Sequence, residues 1–283
     1  MSCQTEYIFS DTFEVTDDVK RAFDETGYIL LKDVLDKDEL SKVEHTLTGS
    51  DAITKHMYLD THDGDRRTDK VMWSFPGNDV TGMVARSEKI AGTMEKLLGG
   101  EVYHYHTKLM MKDAGTGARS VWHQDYGYWY LYGNLFPDMG TVFIALDPCT
   151  RDNSCLQVLR GSHKCGRLDH HRVIGQMGCD EERTQQIKEQ CQLEYIEMDA
   201  GDALYFHCNL IHSSSDNTST KRRWAFLTAY NRASNNPTID RPHPQYTKLH
   251  KVSNSAIKSC TNYTDMEGKR FMNPGYKTIL PNS

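Results

Sequence analysis

The spacing of apolar positions changes partway along the chain. Residues 15–26, VTDDVKRAFDET, carry their apolar side chains at helical intervals, and Gly27 is placed to end the helix. YILLKDVL, residues 28–35, has the length and continuity of a short buried strand. DKDELSKVEHTLTG begins with acidic residues and stops at Gly49, which predicts a second helix. VTGMVARSEKIAGTMEKLLGG is the clearest helical pattern, closed by the pair Gly99–Gly100. Residues 55–78 are polar and turn-rich around Trp73 and Phe75, and read as a long loop.

Beyond Gly100 the segments become short, β-branched and aromatic. EVYHYHTKLMMK, SVWHQDYGYWY, TVFIALD, CLQVLRG, LEYIEM, ALYFH and RRWAFLTAYN are bounded by Gly, Asp or Asn and predict seven strands. A charged, partly helical insert interrupts them at residues 165–192. Strands following a helical segment predict a mainly β fold with helical buttresses, a sandwich or jelly roll. No repeat, low-complexity segment or linker divides the 283 residues, so a single domain is expected. Its parts are an N-terminal helical segment over about 12–100, a β core over about 101–235, and a C-terminal extension over 236–283.

Composition narrows the function. A formal net charge of -6, spread without blocks, argues against nucleic acid or an anionic membrane as main partner. No 18-residue apolar run is present, and the N-terminus has neither a basic nor an apolar leader region. The eight cysteines include no C-x-x-C pair, so they read as reduced thiols. A cytoplasmic globular protein is the resulting expectation.

The candidate chemistry sits in WHQDYGYW. On a strand, His123 and Asp125 point to one face and can share one metal ion. A third ligand is expected from YFHCNLIH, where His207 and His212 compete. Two imidazoles and one carboxylate leave half of an octahedral ion open, the facial triad of non-haem Fe(II) oxygenases. Zinc more usually recruits three nitrogens or thiolates. A cosubstrate with a distal carboxylate needs a planar, bidentate cation, and Arg223 lies eleven residues beyond His212. Arg222 is the alternative, and only one of two adjacent strand residues can point inward.

Together, His123-x-Asp125, the distal His212, Gly161-Ser162-His163 and the His-to-Arg spacing resemble the phytanoyl-CoA dioxygenase family. The resemblance covers about residues 100–235 well and the N-terminal helices loosely. It lies toward the small-molecule branch, with ectoine hydroxylase-like and L-proline trans-4-hydroxylase-like members. It implies a double-stranded β-helix, a cupin-like jelly roll, using Fe(II), 2-oxoglutarate and O2. It implies that Lys112 and Arg223 hold 2-oxoglutarate, and that a small molecule is hydroxylated with release of succinate and CO2. A free amino acid such as L-proline leads, with L-proline trans-4-hydroxylation the reaction implied. Acyl-CoA or ectoine hydroxylation, desaturation or cyclisation are the alternatives, and a non-catalytic 2-oxoglutarate sensor is the rival of another class. Ectoine hydroxylase carries a substrate-contacting Gln where this chain has His106. The aromatics after Asp125 are expected to wall the substrate, with Trp129 the leading contact, offering its face to an ammonium, and Tyr126 and His106 beside it.

Overall fold

The computed structural model describes residues 3–239 and 243–272; the rest of the expected C-terminal extension lies outside them. Eight strands build two facing antiparallel sheets. In chain order they are β1 (Val102–Lys112), β2 (Ser120–His123), β3 (Met139–Ala145), β4 (Leu156–Leu159), β5 (Leu193–Ile196), β6 (Ala203–His207), β7 (His212–Ser214) and β8 (Arg223–Arg232). The larger sheet runs β6-β3-β8-β1 and the smaller β5-β4-β7-β2. This 4+4 alternation is the jelly roll anticipated from the strand pattern. Six of the seven anticipated strands form much as expected. The eighth, β7, has only three residues, too few to carry a period, and it was missed.

The larger sheet continues outward on both sides. Tyr28–Lys32 pairs with β6 and is flanked by the parallel strand Glu6–Ile8. On the other edge, Arg66–Ser74 pairs with β1 and forms a hairpin with Tyr58–Asp63. The long loop expected over 55–78 is therefore mostly sheet. Val71 and Trp73 alternate into the core there, a two-residue signal diluted by charged neighbours on the open face.

Helices α1 (Asp17–Thr26) and α2 (Lys37–Thr48) form where the apolar spacing placed them. Gly27 ends α1 in the left-handed conformation, φ 86°. Asp36 and Glu39 close a reciprocal capping box on α2. The third helical stretch is broken, into α3 (Val80–Arg86) and α4 (Thr93–Leu98) with a wide turn between them. At the break, Ser87 is extended and its hydroxyl donates to the Val84 carbonyl. Residue 252 of the C-terminal extension bridges there, its N–H donating to the Arg86 carbonyl and its carbonyl accepting from Glu88 N–H. The helices cover the outer face of the larger sheet over a core that includes Ile29, Val142, Ile144, Tyr205 and Phe226. A second cluster, including Phe143, Leu156, Val158, Leu204 and Phe206, fills the inside of the sandwich.

The stretch expected as one strand over 120–130 leaves the sheet at Gln124 and becomes α5 (Asp125–Trp129). Tertiary contacts override the aromatic β-propensity here. Gln124 is buried, and its amide donates to the Gly166 and Asn209 carbonyls and accepts from Leu168 N–H. Gly127 is required on α5, because a Cβ there would meet the His170 ring at 2.0 Å. The insert at 165–192 is a hairpin, His170–Val173 with Gln176–Cys179, followed by α6 (Glu181–Gln190).

Candidate active site

His123, Asp125 and His212 converge, with one ligand atom of each within 4.8 Å of the others. The route differs from the expected one. His123 ends β2 and Asp125 opens α5, so a strand-to-helix turn aims the carboxylate, not strand alternation. Across the sheet, His212 on β7 is the direct partner of His123, with ring centroids 4.1 Å apart.

Each imidazole is held in one tautomer. His123 Nδ1 donates to the Val121 carbonyl and His212 Nδ1 to the Leu210 carbonyl, both at 2.8 Å. A carbonyl only accepts, so both protons sit on Nδ1 and both Nε2 lone pairs are free for a metal. Burial, first of all, lowers both imidazole pKa values, which keeps the rings neutral and ligating. The Asp125 carboxyl stays ionised although burial opposes this. Lys108, the two histidines and the Tyr128 hydroxyl hold its pKa low. Tyr128 donates to Oδ1 at 2.7 Å and Thr141 to Oδ2 at 2.8 Å. Two nitrogens and a doubly oriented carboxylate fit Fe(II) of the facial-triad class.

His207 is excluded from this cluster. It packs against Phe23 and His163, and its Nδ1 accepts from Asn209 N–H. The arginine alternative is also resolved. Arg222 points outward to Asp147 and Glu44, whereas Arg223 is buried inside the sandwich.

Arg223 stands opposite Lys112 in the β8–β1 register. Lys112 Nζ donates to Ser154 Oγ, Ser214 Oγ and the Ser215 carbonyl. Arg223 Nε donates to the Ser154 carbonyl. Among the described residues, neither cation forms an ion pair. Burial and then the Arg223 charge press the Lys112 pKa well below its ordinary value. Burying each charge costs several kcal/mol after relaxation, a cost that a bound dianion offsets. Ser154 joins the two cations and itself sits at φ 79°, strained for a residue other than glycine. Sequence reasoning missed Ser154, since nothing local marks a loop serine as left-handed.

Beyond the triad, the interior face of β1 carries Lys108 and His106, two and three steps of strand alternation from Lys112. Lys108 Nζ lies 3.9 Å from Asp125 Oδ1 and about 6 Å from the Tyr128 and Trp129 ring centroids. Lys108 was absent from the sequence expectation, because K-L-M-M-K offers no reason to prefer it. Trp129 is buried against Tyr105 and His106. Tyr126 is buried too, and its hydroxyl donates to the Asn134 carbonyl, so the hydroxyl turned toward the metal site is that of Tyr128. An Asn134–Asn231–Asn235 network fixes this region, with Asn134 Nδ2 donating to the Trp129 carbonyl.

Residues 23–225 match the phytanoyl-CoA dioxygenase family. The chain is 34% identical over 181 residues to L-proline trans-4-hydroxylase of Streptomyces griseoviridis, covering 56% of this chain and 66% of that enzyme. It thus spans just under two thirds of that hydroxylase. It is 24% identical over 235 residues to ectoine dioxygenase of Bordetella bronchiseptica, covering 77% of this chain and 76% of that one. In fold it is similar to EctD from S. alaskensis with bound Fe, with a TM-score of 0.72, 22% identity and coverage of 87% and 90%. The family match, spanning the triad, Lys112 and Arg223, establishes that this chain belongs to the phytanoyl-CoA dioxygenase family.

Proposed function

We propose that this 2-oxoglutarate-dependent dioxygenase hydroxylates a small zwitterion, L-proline or a close relative, releasing succinate and CO2. The observation that carries the cosubstrate is the buried pair Lys112–Arg223, which has no carboxylate partner among the described residues. In this reading His123, Asp125 and His212 hold Fe(II), and Lys112 with Arg223 holds the distal carboxylate of 2-oxoglutarate. Bound together with O2, iron and 2-oxoglutarate supply oxidation of an unactivated C–H bond. The chain's own work is positioning and exclusion of water.

Lys108, a partly buried cation, faces the triad from within an aromatic lining. It supports a substrate with one carboxylate. It also alters the role of Trp129, whose ring already has a protein cation beside it and so favours shape over ammonium binding. An ectoine-like substrate is the second reading, favoured by the longer alignment with ectoine dioxygenase.

The test is a screen of L-proline, other cyclic amino acids, ectoine and an acyl-CoA, with succinate as the readout. L-Proline or a relative is expected to raise succinate release well above the substrate-free rate. Stimulation by the acyl-CoA alone overturns the zwitterion reading.

A further inference from the structure

Two buried histidines outside the metal triad lie against one another. His106, on β1, and His243, from the C-terminal extension, have ring centroids 5.2 Å apart. Both are more than nine-tenths buried, and the Nδ1 of each has no hydrogen-bond partner among the described residues. An unpaired buried polar atom is costly, so a fold retains one mainly where something else will pair with it. Both rings are built in. His243 stacks on Tyr105 at 4.6 Å and 18° and touches Tyr132, while His106 packs edge-on to Trp129. Trp129 in turn borders Lys108, which reaches Asp125. The pair therefore adjoins the metal site at the end of β1 remote from Lys112.

We propose that the imidazoles of His106 and His243 form the acceptor for the substrate's amine, and so select amino acids over simple carboxylates. This rests on the zwitterion reading above. Lys108 takes the substrate carboxylate, so the amine must be met by something other than a second cation or an aromatic face already shared with Lys108. A neutral imidazole in either tautomer keeps one lone pair for an N–H donor. Burial and the nearby Lys108 charge keep these rings neutral, with the His243 pKa lowered to about 3 and that of His106 also depressed. The pair joins a strand of the jelly roll to the C-terminal extension, so the extension becomes part of the substrate site.

The experiment compares L-proline with tetrahydrofuran-2-carboxylate, which has the same ring and carboxylate but an ether oxygen in place of the amine. KM for each is measured through succinate release in wild type, His243→Phe, His243→Asn and His106→Phe. Phenylalanine keeps the stack on Tyr105 and removes the nitrogens; asparagine keeps a polar atom near the Nδ1 position. His243→Phe and His106→Phe are expected to raise KM for L-proline at least tenfold, with little change for the ether, and His243→Asn to recover part of the loss. Should the phenylalanine variants misfold, L-proline titrated into 15N-histidine-labelled wild type with Zn(II) and 2-oxoglutarate gives the same answer. The imidazole nitrogen signals of both residues are expected to shift with L-proline and not with the ether. L-Proline turnover with KM unchanged in the variants, equal losses for both compounds, or no shift on L-proline binding overturns the amine site and leaves the amino-acid reading intact. Failure of every amino acid to stimulate turnover overturns the reading and the amine site together.

Discussion

Arg223 and Lys112 face each other across β8 and β1 as two buried cations, joined through Ser154 and without a carboxylate partner among the described residues. Burying two such charges is costly, and a bound anion offsets that cost. The pair defines one end of a line along β1 that continues through Lys108, beside the metal triad, to His106.

The first prediction concerns that anion. Arg223→Lys keeps the charge and loses the fork geometry. Loss of one charge-assisted contact is worth roughly 1.5–3 kcal/mol, so KM for 2-oxoglutarate should rise about ten- to hundredfold. Arg222→Lys, on the exposed Asp147–Glu44 pair, should leave that KM near the wild-type value. The reverse pattern moves the role to Arg222.

Lys112 gives a pH signature. Its pKa lies well below the ordinary 10.5, through burial and Arg223. The charged form binds the dianion, and it is lost as pH rises through the lowered pKa. Affinity for 2-oxoglutarate should therefore fall at a pH below that at which an exposed lysine titrates. Direct binding measured across alkaline pH checks this. A Lys112→Met variant should bind weakly with no such descent, and a descent that survives the substitution refutes the assignment.

The triad should behave as a unit. His123→Ala, Asp125→Ala and His212→Ala are each expected to abolish Fe(II) binding in anaerobic titration. His207→Ala, which removes a ring packed on Phe23 and His163, should retain it. Tyr128→Phe removes one of the two hydroxyls orienting Asp125 and should weaken metal binding by about 10–100-fold, as such outer partners typically do.

Gln124 is a prediction about stability. Gln124→Ala leaves the Leu168 N–H and the Gly166 and Asn209 carbonyls without their buried partner. At roughly 1–3 kcal/mol for each group stranded, the unfolding free energy should drop by several kcal/mol in denaturant titration. Fe(II) affinity should drop with it, because the same amide sets the turn between His123 and Asp125. Wild-type stability in the variant contradicts this account of the turn.

What was legible in the sequence follows from how local each signal is. Helices α1 and α2 carry their own caps, Thr16 with Gly27 and the Asp36–Glu39 box, so spacing alone placed them. The jelly roll followed from strands long enough to show a period, and the ligand types from His and Asp at short spacing. What was missed is set by contacts distant in sequence. The turn at Asp125 depends on carbonyls near residues 166 and 209. The break at Ser87 depends on a pairing with residue 252. His243 joins the aromatic site from outside the strand pattern, and no spacing connects it to His106.

The most direct measurement of the central claim is the fate of molecular oxygen. The protein with Fe(II), 2-oxoglutarate and L-proline is incubated under 18O2, and both products are weighed by mass spectrometry. The account predicts one labelled oxygen in a hydroxylated amino acid and the other in succinate, in equal amounts. Unlabelled amino acid beside labelled succinate, or label entering only an acyl-CoA supplied in competition, would contradict it.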